Sequence, residues 1–481
     1  MRRRPLRSAV EPASFHSRNS ANRGLPAWSG ASRTIDRMRL ARLLARELMQ
    51  FEDQHPRSRE LFEQGRRSLL AGVPMNWMVR WAGPFPVFVK RAAGARIWDV
   101  DGHEYADLCL GDTGSMFGHS PPVVVRAIHR QLGRGITTML PSEDSIWVGT
   151  ELARRFGLPY WQIAMTATDA NRFALRIARE VTGRPRILVF NGCYHGSVDE
   201  ALVEVEDGRT VSIRGSIGPP VDPSITTRTI EFNDVPALER ALAPRDVAAV
   251  LAEPAMTNQG IILPAPDYHD QLRELTRRHG TLLILDETHT LCEGPGGYTR
   301  AHGLSPDLLT LGKPVASGIP AAAFGMAEGI ATLSLPKVRA ESADESGIGG
   351  TLSGNPLSIA AMRATLEHVI TPAAYRHMIP LAKRWTTGVD RTIHDLGLPW
   401  HVTRLGARAE YRFRATPPRN GGEAMASRDA ELDRYVHLYA LNRGILLTPF
   451  HTMALMSPKT RAADIDLHSR VFAECAGELV S

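Results

Sequence analysis

The chain has 481 residues, 43% of them hydrophobic, enough to bury a large core and to build more than one domain. Its net charge of +6 is concentrated in residues 1–47, where eleven arginines face Glu11, Asp36 and Glu47, a balance of +8 that leaves the rest of the chain at −2; a basic tail on a near-neutral body argues against a nucleic-acid-binding surface. Cys109, Cys193, Cys292 and Cys475 are widely spaced without a CxxC pair, so the cysteines suggest neither a disulfide framework nor a zinc site, and no apolar run reaches membrane-spanning length; the expectation is a soluble protein of the reducing cytoplasm.

Residues 1–35 are rich in Arg, Ser and Pro, lack the apolar stretch of a signal peptide and are expected to form a disordered tail. From 35 to about 67, Leu40, Leu43, Leu44, Leu48, Leu61 and Phe62 recur at helical spacing. Strand-type runs at 87–89 and 96–98 are closed by Asp99-Val100-Asp101-Gly102, a hairpin turn sequence. A Gly-rich loop at 111–118 precedes a helix at 123–132. Beyond Trp161, strands at 163–165, 187–190, 248–252, 282–285 and 308–311 alternate with helices from 170, at 236–243 and at 268–279. That alternation predicts an α/β architecture with a mostly parallel, doubly wound sheet. After about 364 a long helix, a strand at 409–413, a helix at 429–442 and a strand at 445–447 read as a smaller α+β unit.

The stretch 281–314 concentrates the chemistry. Leu282-Leu283-Ile284-Leu285 ends in Asp286 and Glu287, and Leu308-Leu309-Thr310-Leu311 is followed by Gly312-Lys313-Pro314. Of the five lysines, Lys90, Lys313, Lys337, Lys383 and Lys459, only Lys313 follows a strand-type run with a glycine before it. A lysine at a strand exit can form a Schiff base with an aldehyde cofactor, and an acid at the next exit can hold a protonated ring nitrogen. Together they are the protein's share of pyridoxal phosphate (PLP) chemistry. Taken singly, they read as a surface lysine and an acidic helix cap.

Four further segments are each ambiguous alone. Thr166-Ala167-Thr168-Asp169-Ala170-Asn171 opens a helix and offers free N–H groups to a phosphate, as any hydroxyl cap would. In Asn191-Gly192-Cys193-Tyr194-His195-Gly196 the tyrosine stands at a strand's carboxyl end, where a ring stacks on a flat heterocycle or packs in a loop. Glu253-Pro254 ends another strand, with Asn258 close behind. Gly349-Gly350-Thr351-Leu352-Ser353-Gly354-Asn355-Pro356 leads into a helix as a turn or a phosphate contact.

In this order the motifs resemble the class III aminotransferases, a branch of the fold type I PLP enzymes. Within them the chain is most similar to the glutamate-1-semialdehyde aminomutases and β-amino acid aminotransferases, over about 61 to 460. The resemblance implies a large PLP-binding domain at 126–365. An N-terminal segment at 36–125 would join 366–481 in a smaller domain, and the enzyme would be a homodimer with composite sites. It implies that Lys313 carries the cofactor as an aldimine and that Asp286 pairs with the ring nitrogen. Thr166, Ala167 and Thr168 would hold the phosphate, with Thr351 reaching it from the neighbouring subunit. Tyr194, with His195 beside it, would cover one ring face, Thr288 would lie under the other, and Glu253 and Asn258 would flank the phenolic oxygen. Arg80 would grip a substrate carboxylate with its forked guanidinium, its other reading being a surface ion pair.

Four positions depart from the family pattern. Ala167 replaces a glycine, and Thr288-His289 replaces Val-Met. Asp112 stands where the aminomutases carry a tryptophan and would favour an amino or otherwise basic group on the substrate, or cap a turn. Met453 falls where the aminomutases carry a glutamate, and the arginine of the β-amino acid enzymes is missing there too. The expected activity is transfer of an amino group from an amino acid, β or ω included, or an amine to a keto acid or aldehyde. A 2,1-aminomutase on the same scaffold is the alternative, and an inactive binding relative is the second alternative.

Overall fold

The computed structural model describes residues 35–218, 221–339, 346–449 and 451–480. The expected tail at 1–35 therefore lies, apart from its last residue, outside the described residues. Seven strands form the central sheet: β1 (Tyr160–Ala164), β2 (Arg186–Phe190), β3 (Thr227–Ile230), β4 (Val247–Ala252), β5 (Leu282–Asp286), β6 (Leu308–Leu311) and β7 (Ala322–Met326). Their spatial order is β1-β7-β6-β5-β4-β2-β3. Only β7 runs against its neighbours; the other pairs are parallel.

Every residue of β4, β6 and β7 is buried, which is why these strands read as unbroken apolar or small runs and not as alternating ones. From β2 the chain moves outward to β3, returns to β4, and then proceeds through β5, β6 and β7 in the opposite direction. Such a reversal opens a crevice at the carboxyl ends of the parallel strands, the place where open α/β sheets bind ligands. The expected sheet is present, with β3 and β7 as strands the sequence reading did not assign.

Among the described residues there are three smaller sheets, one of them the hairpin Val203–Glu206 with Arg209–Ser212. Val89–Ala93, Arg96–Asp99 and Glu104–Asp107 form a meander, and the Asp-Gly turn closes its second hairpin. Ile445–Leu446, from the far end of the chain, adds to the meander in parallel beside Ala106 and Asp107. His401–Leu405, Arg408–Arg412 and Met453–Leu455 make a three-stranded antiparallel sheet. The long helix Pro372–Leu396 and the helix Ala462–Val480 pack together beside it, with Trp385 fully buried against Tyr411 and His468. The helical stretch expected at 35–67 is two helices, Arg37–Gln54 and Pro56–Gly65; Pro56 starts the second, where its missing N–H is harmless. Among the described residues, no helix is long and apolar enough to cross a membrane.

Candidate active site

β5 delivers Asp286 into full burial. Burial alone would push its carboxyl up. Donation from His195 Nδ1 (2.9 Å), the Thr288 amide (3.0 Å) and Asn171 Nδ2 (2.8 Å) outweighs that and holds it at about 2. Asn171 is the hub of this arrangement. Its amide also donates to the His195 carbonyl, and its Oδ1 accepts from Thr310 on β6 (2.7 Å), so one side chain ties β5, β6 and the loop after β2 together. Asn171 belongs to the hydroxyl-turn motif, but nothing in that motif by itself points to this role. The signal was a polar residue on the helix face that carries Phe173, Ala174, Ile177 and Ala178. His195 is buried too; burial opposes its charge, but Cys193 and Asp286 carry it well above the ordinary imidazole range. Among the described residues its Nε2 is buried without a hydrogen-bond partner, as is Thr288 Oγ1.

At the exit of β6, Lys313 holds a left-handed backbone (φ 44°). Its Nζ donates to Asp112 Oδ2 (2.7 Å) and lies 2.9 Å from His289 Nε2. The loop that presents Asp112 is strained: Leu110, Gly111, Asp112 and Thr113 all have positive φ, 46°, 59°, 48° and 81°. Buried Asp107 anchors its start, accepting from the amides of Cys109 and Leu110 (both 2.8 Å) and from His119 (2.6 Å). Burial works against the Asp112 charge, but the Lys313 and Arg408 cations hold the carboxyl well below its usual range. His289 is driven the other way, by burial first and then by the Lys313 and Arg408 cations, so its imidazole is neutral. A neutral ring has one bare nitrogen. Nε2 faces the Lys313 amine, and Nδ1 lies 2.9 Å from the Thr113 hydroxyl, which can give or take a hydrogen.

Arg408 was also without a role in the sequence reading. It is fully buried, donates to the Thr257 carbonyl (3.1 Å) and lies 3.3 Å from His289 Nδ1. Behind it Glu410, Arg412 and His451 form a buried polar layer, with Arg408, Arg412 and His451 at 3.5–4.0 Å from Glu410. The alternating Arg-Ala-Glu-Tyr-Arg of a strand that is buried throughout was the available signal.

The hydroxyl turn sits against the lysine. Thr166 caps the helix Ala167–Thr182 through the Asp169 amide (3.1 Å). A side chain at Gly312 would come within 2.7 Å of the Ala167 Cβ, and one at Gly196 within 2.1 Å of Thr168 Oγ1. The glycines let the loops after β2 and β6 close onto the helix N-terminus. Ala167 lies in the helix's first turn, outside the left-handed region, so its replacement of a glycine is free of strain.

Other expected residues are spread around this centre. Glu253 is buried at the end of β4 and accepts from the Thr257 amide (3.2 Å) and hydroxyl (2.5 Å). Burial lifts its carboxyl to about 6 against the pull of His195. Asn258 donates to the Gly192 carbonyl (3.0 Å), bracing the loop of Tyr194, a residue that is 46% exposed. Arg80 and Thr351 are exposed, Arg80 just beyond the short turn Asn76–Val79.

The donor set suits a flat, phosphorylated, aldehyde-bearing cofactor. It offers a reactive amine, a carboxylate kept ionised in full burial, a helix N-terminus beside the lysine, and unpaired buried atoms on His195 and Thr288.

Fold and site together define a PLP-dependent enzyme of fold type I. The chain belongs to the class-III aminotransferase family, whose model matches residues 77–460. Two relatives named glutamate-1-semialdehyde 2,1-aminomutase, from Bordetella avium and Sorangium cellulosum, are 35% and 34% identical. They cover 82% and 89% of this chain, and the alignments span 92% and 97% of theirs. A crystal structure of a glutamate-1-semialdehyde-aminomutase from Pseudomonas aeruginosa PAO1 is 54% identical with a TM-score of 0.91, covering 92% of this chain and 99% of that one. The same enzyme has been solved as a lysine-to-alanine variant in complex with PMP. An omega-transaminase from Sphaerobacter thermophilus is 29% identical with a TM-score of 0.80, covering 88% and 98%.

Two outcomes follow. Gly196→Ala places a Cβ at a left-handed position against Thr168; strain of about 1–3 kcal/mol is expected to weaken cofactor retention by roughly tenfold or more, read by dialysis and absorbance. Glu253→Gln tests the raised carboxyl of the cofactor-free protein. The folded state holds this proton to a higher pH than the unfolded chain, so ionisation destabilises the fold as pH rises from about 4.5 through about 6. The variant is expected to be more stable than wild type by about 2 kcal/mol at pH 7.5, with no gain at pH 4, as measured by urea unfolding.

Proposed function

We propose that the chain is a glutamate-1-semialdehyde-type 2,1-aminomutase, exchanging amino and carbonyl groups between adjacent carbons of one substrate. The observation that carries this reading is the 54% identity to an aminomutase of known structure over nearly the whole of both chains, supported by the two curated relatives of the same name.

PLP, when bound, supplies an electrophilic carbon and a sink for the electron pair left by a departing proton. Lys313 Nζ would hold the cofactor covalently and, once freed, carry a proton between the substrate's amino-bearing carbon and the cofactor. Asp286, kept charged by His195, Asn171 and Thr288, would face the ring nitrogen and keep it cationic. Thr166, Ala167 and Thr168 would present the helix N-terminus to the phosphate. In the homodimer Thr351 would reach that phosphate from the neighbouring subunit. Tyr194 and Thr288 would sandwich the ring, Glu253 and Asn258 would flank it, and Arg80 would take the substrate carboxylate. Asp112 and the neutral His289 would receive the Lys313 amine while it is free, orienting its lone pair.

The second reading is an intermolecular aminotransferase, and Asp112, His289 and Met453 favour it. They put charge and a titratable ring where the aminomutase pattern has none, and leave out its glutamate. Single-turnover trapping separates the two. A mutase converts glutamate-1-semialdehyde into the isomer with amino and carbonyl carbons exchanged and releases little free dicarbonyl. Net transfer from an amine donor to pyruvate or 2-oxoglutarate, with release of the donor's carbonyl product, would sink the mutase reading. In either case Lys313→Ala is expected to abolish the covalent cofactor absorbance and lower turnover by at least about a hundredfold. Unchanged absorbance would overturn both.

A further inference from the structure

A second cluster lies where the two N-terminal helices meet the meander. His55 links the helices Arg37–Gln54 and Pro56–Gly65, and its Nδ1 donates to the Phe51 carbonyl (2.7 Å). A carbonyl only accepts, so Nδ1 carries the hydrogen and Nε2 of the neutral ring points inward bare. Asp99 is turned by its other oxygen: Oδ1 accepts from the Asp101 (3.0 Å) and His103 (2.8 Å) amides. Its Oδ2 is thereby left facing His55 Nε2 at 3.5 Å, His103 Nδ1 at 2.9 Å and the Tyr105 hydroxyl at 2.7 Å. That hydroxyl is also 2.9 Å from His55 Nε2. Tyr105 therefore has one proton for two acceptors.

We propose that His55, Asp99 and His103 bind a divalent first-row transition cation, with zinc the best match, as a staple between the N-terminal helices and the meander. One ligand atom from each of the three lies within 4.8 Å of the others, and two imidazoles with one carboxylate are a donor set typical of zinc. His55 and Asp99 are only 1% exposed and are already oriented from behind, by a backbone carbonyl and by two backbone amides. Metal sites use such outer contacts to fix their ligands. His103 is 36% exposed, which gives an entry path and a fourth position for water. With a cation holding the bare Nε2, the single Tyr105 proton serves Asp99 alone. The cysteine spacing could not announce this site, because its ligands come from a helix junction and a hairpin. The strand Glu104–Asp107 leads from the cluster to the strained loop that presents Asp112, so the staple would firm one wall of the active site from a distance.

The test uses the full-length, cofactor-loaded protein, stripped with chelator and dialysed, then titrated with zinc chloride by calorimetry, with bound metal counted by atomic emission. One zinc per chain and a higher melting temperature are expected. His103→Ala, at a partly exposed position, and Asp99→Asn, which keeps an Oδ1 acceptor for the hairpin amides, are expected to lose that uptake while keeping the cofactor absorbance. Zinc held by the cofactor phosphate, by His289 or by His16 would survive His103→Ala, and that result overturns the proposal. So does absence of uptake by the wild-type protein, which would mean that a proton closes the cluster.

Discussion

The site depends on keeping a carboxylate charged where no water reaches it. Asp286 would be neutral in a merely apolar pocket, and a neutral acid cannot hold a ring nitrogen in its cationic form. Three donors from three separate elements prevent this: an imidazole from the loop after β2, a side-chain amide from the helix after β1, and the backbone just beyond β5. Each reaches Asp286 only if the sheet has its observed strand order. The charge state of one atom pair is thus a property of the whole fold.

Around Lys313 the electrostatics are inverted. The amine meets an ionised carboxylate on one side and a neutral imidazole on the other, with a buried arginine behind the imidazole. Opposite pulls on Asp112 and His289 by the same two cations assign them different protonation states within a few ångströms. That is the arrangement by which proteins separate acid and base roles at one pH. The strained loop at 110–113 is the backbone expense of bringing Asp112 there.

Much of this was legible in the linear order of residues, because parallel α/β sheets put chemistry at strand exits and each exit has a local signature. The apolar run before Asp286 and the Gly312-Lys313 step after β6 are of this kind. β7 was not legible. Ala322-Ala323-Phe324-Gly325-Met326 lacks the β-branched residues that mark strands, and Gly325 is there because the Trp161 ring occupies the space of a Cβ. Asn171, Arg408 and the His55–Asp99 pair escaped for another reason. Their roles arise from contacts between segments distant in sequence, which no local periodicity encodes.

The meander ends in a pairing between opposite ends of the polypeptide, Ala106 with Ile445 and Asp107 with Leu446. On the ribosome, the strand Glu104–Asp107 emerges first and waits for its partner while the whole central sheet is made. Its open edge is a ready template for other strands in the interval. The closure is long-range and entropically slow. The wall that carries Asp112 toward Lys313 is thus tied, through the meander, to a segment made long after it.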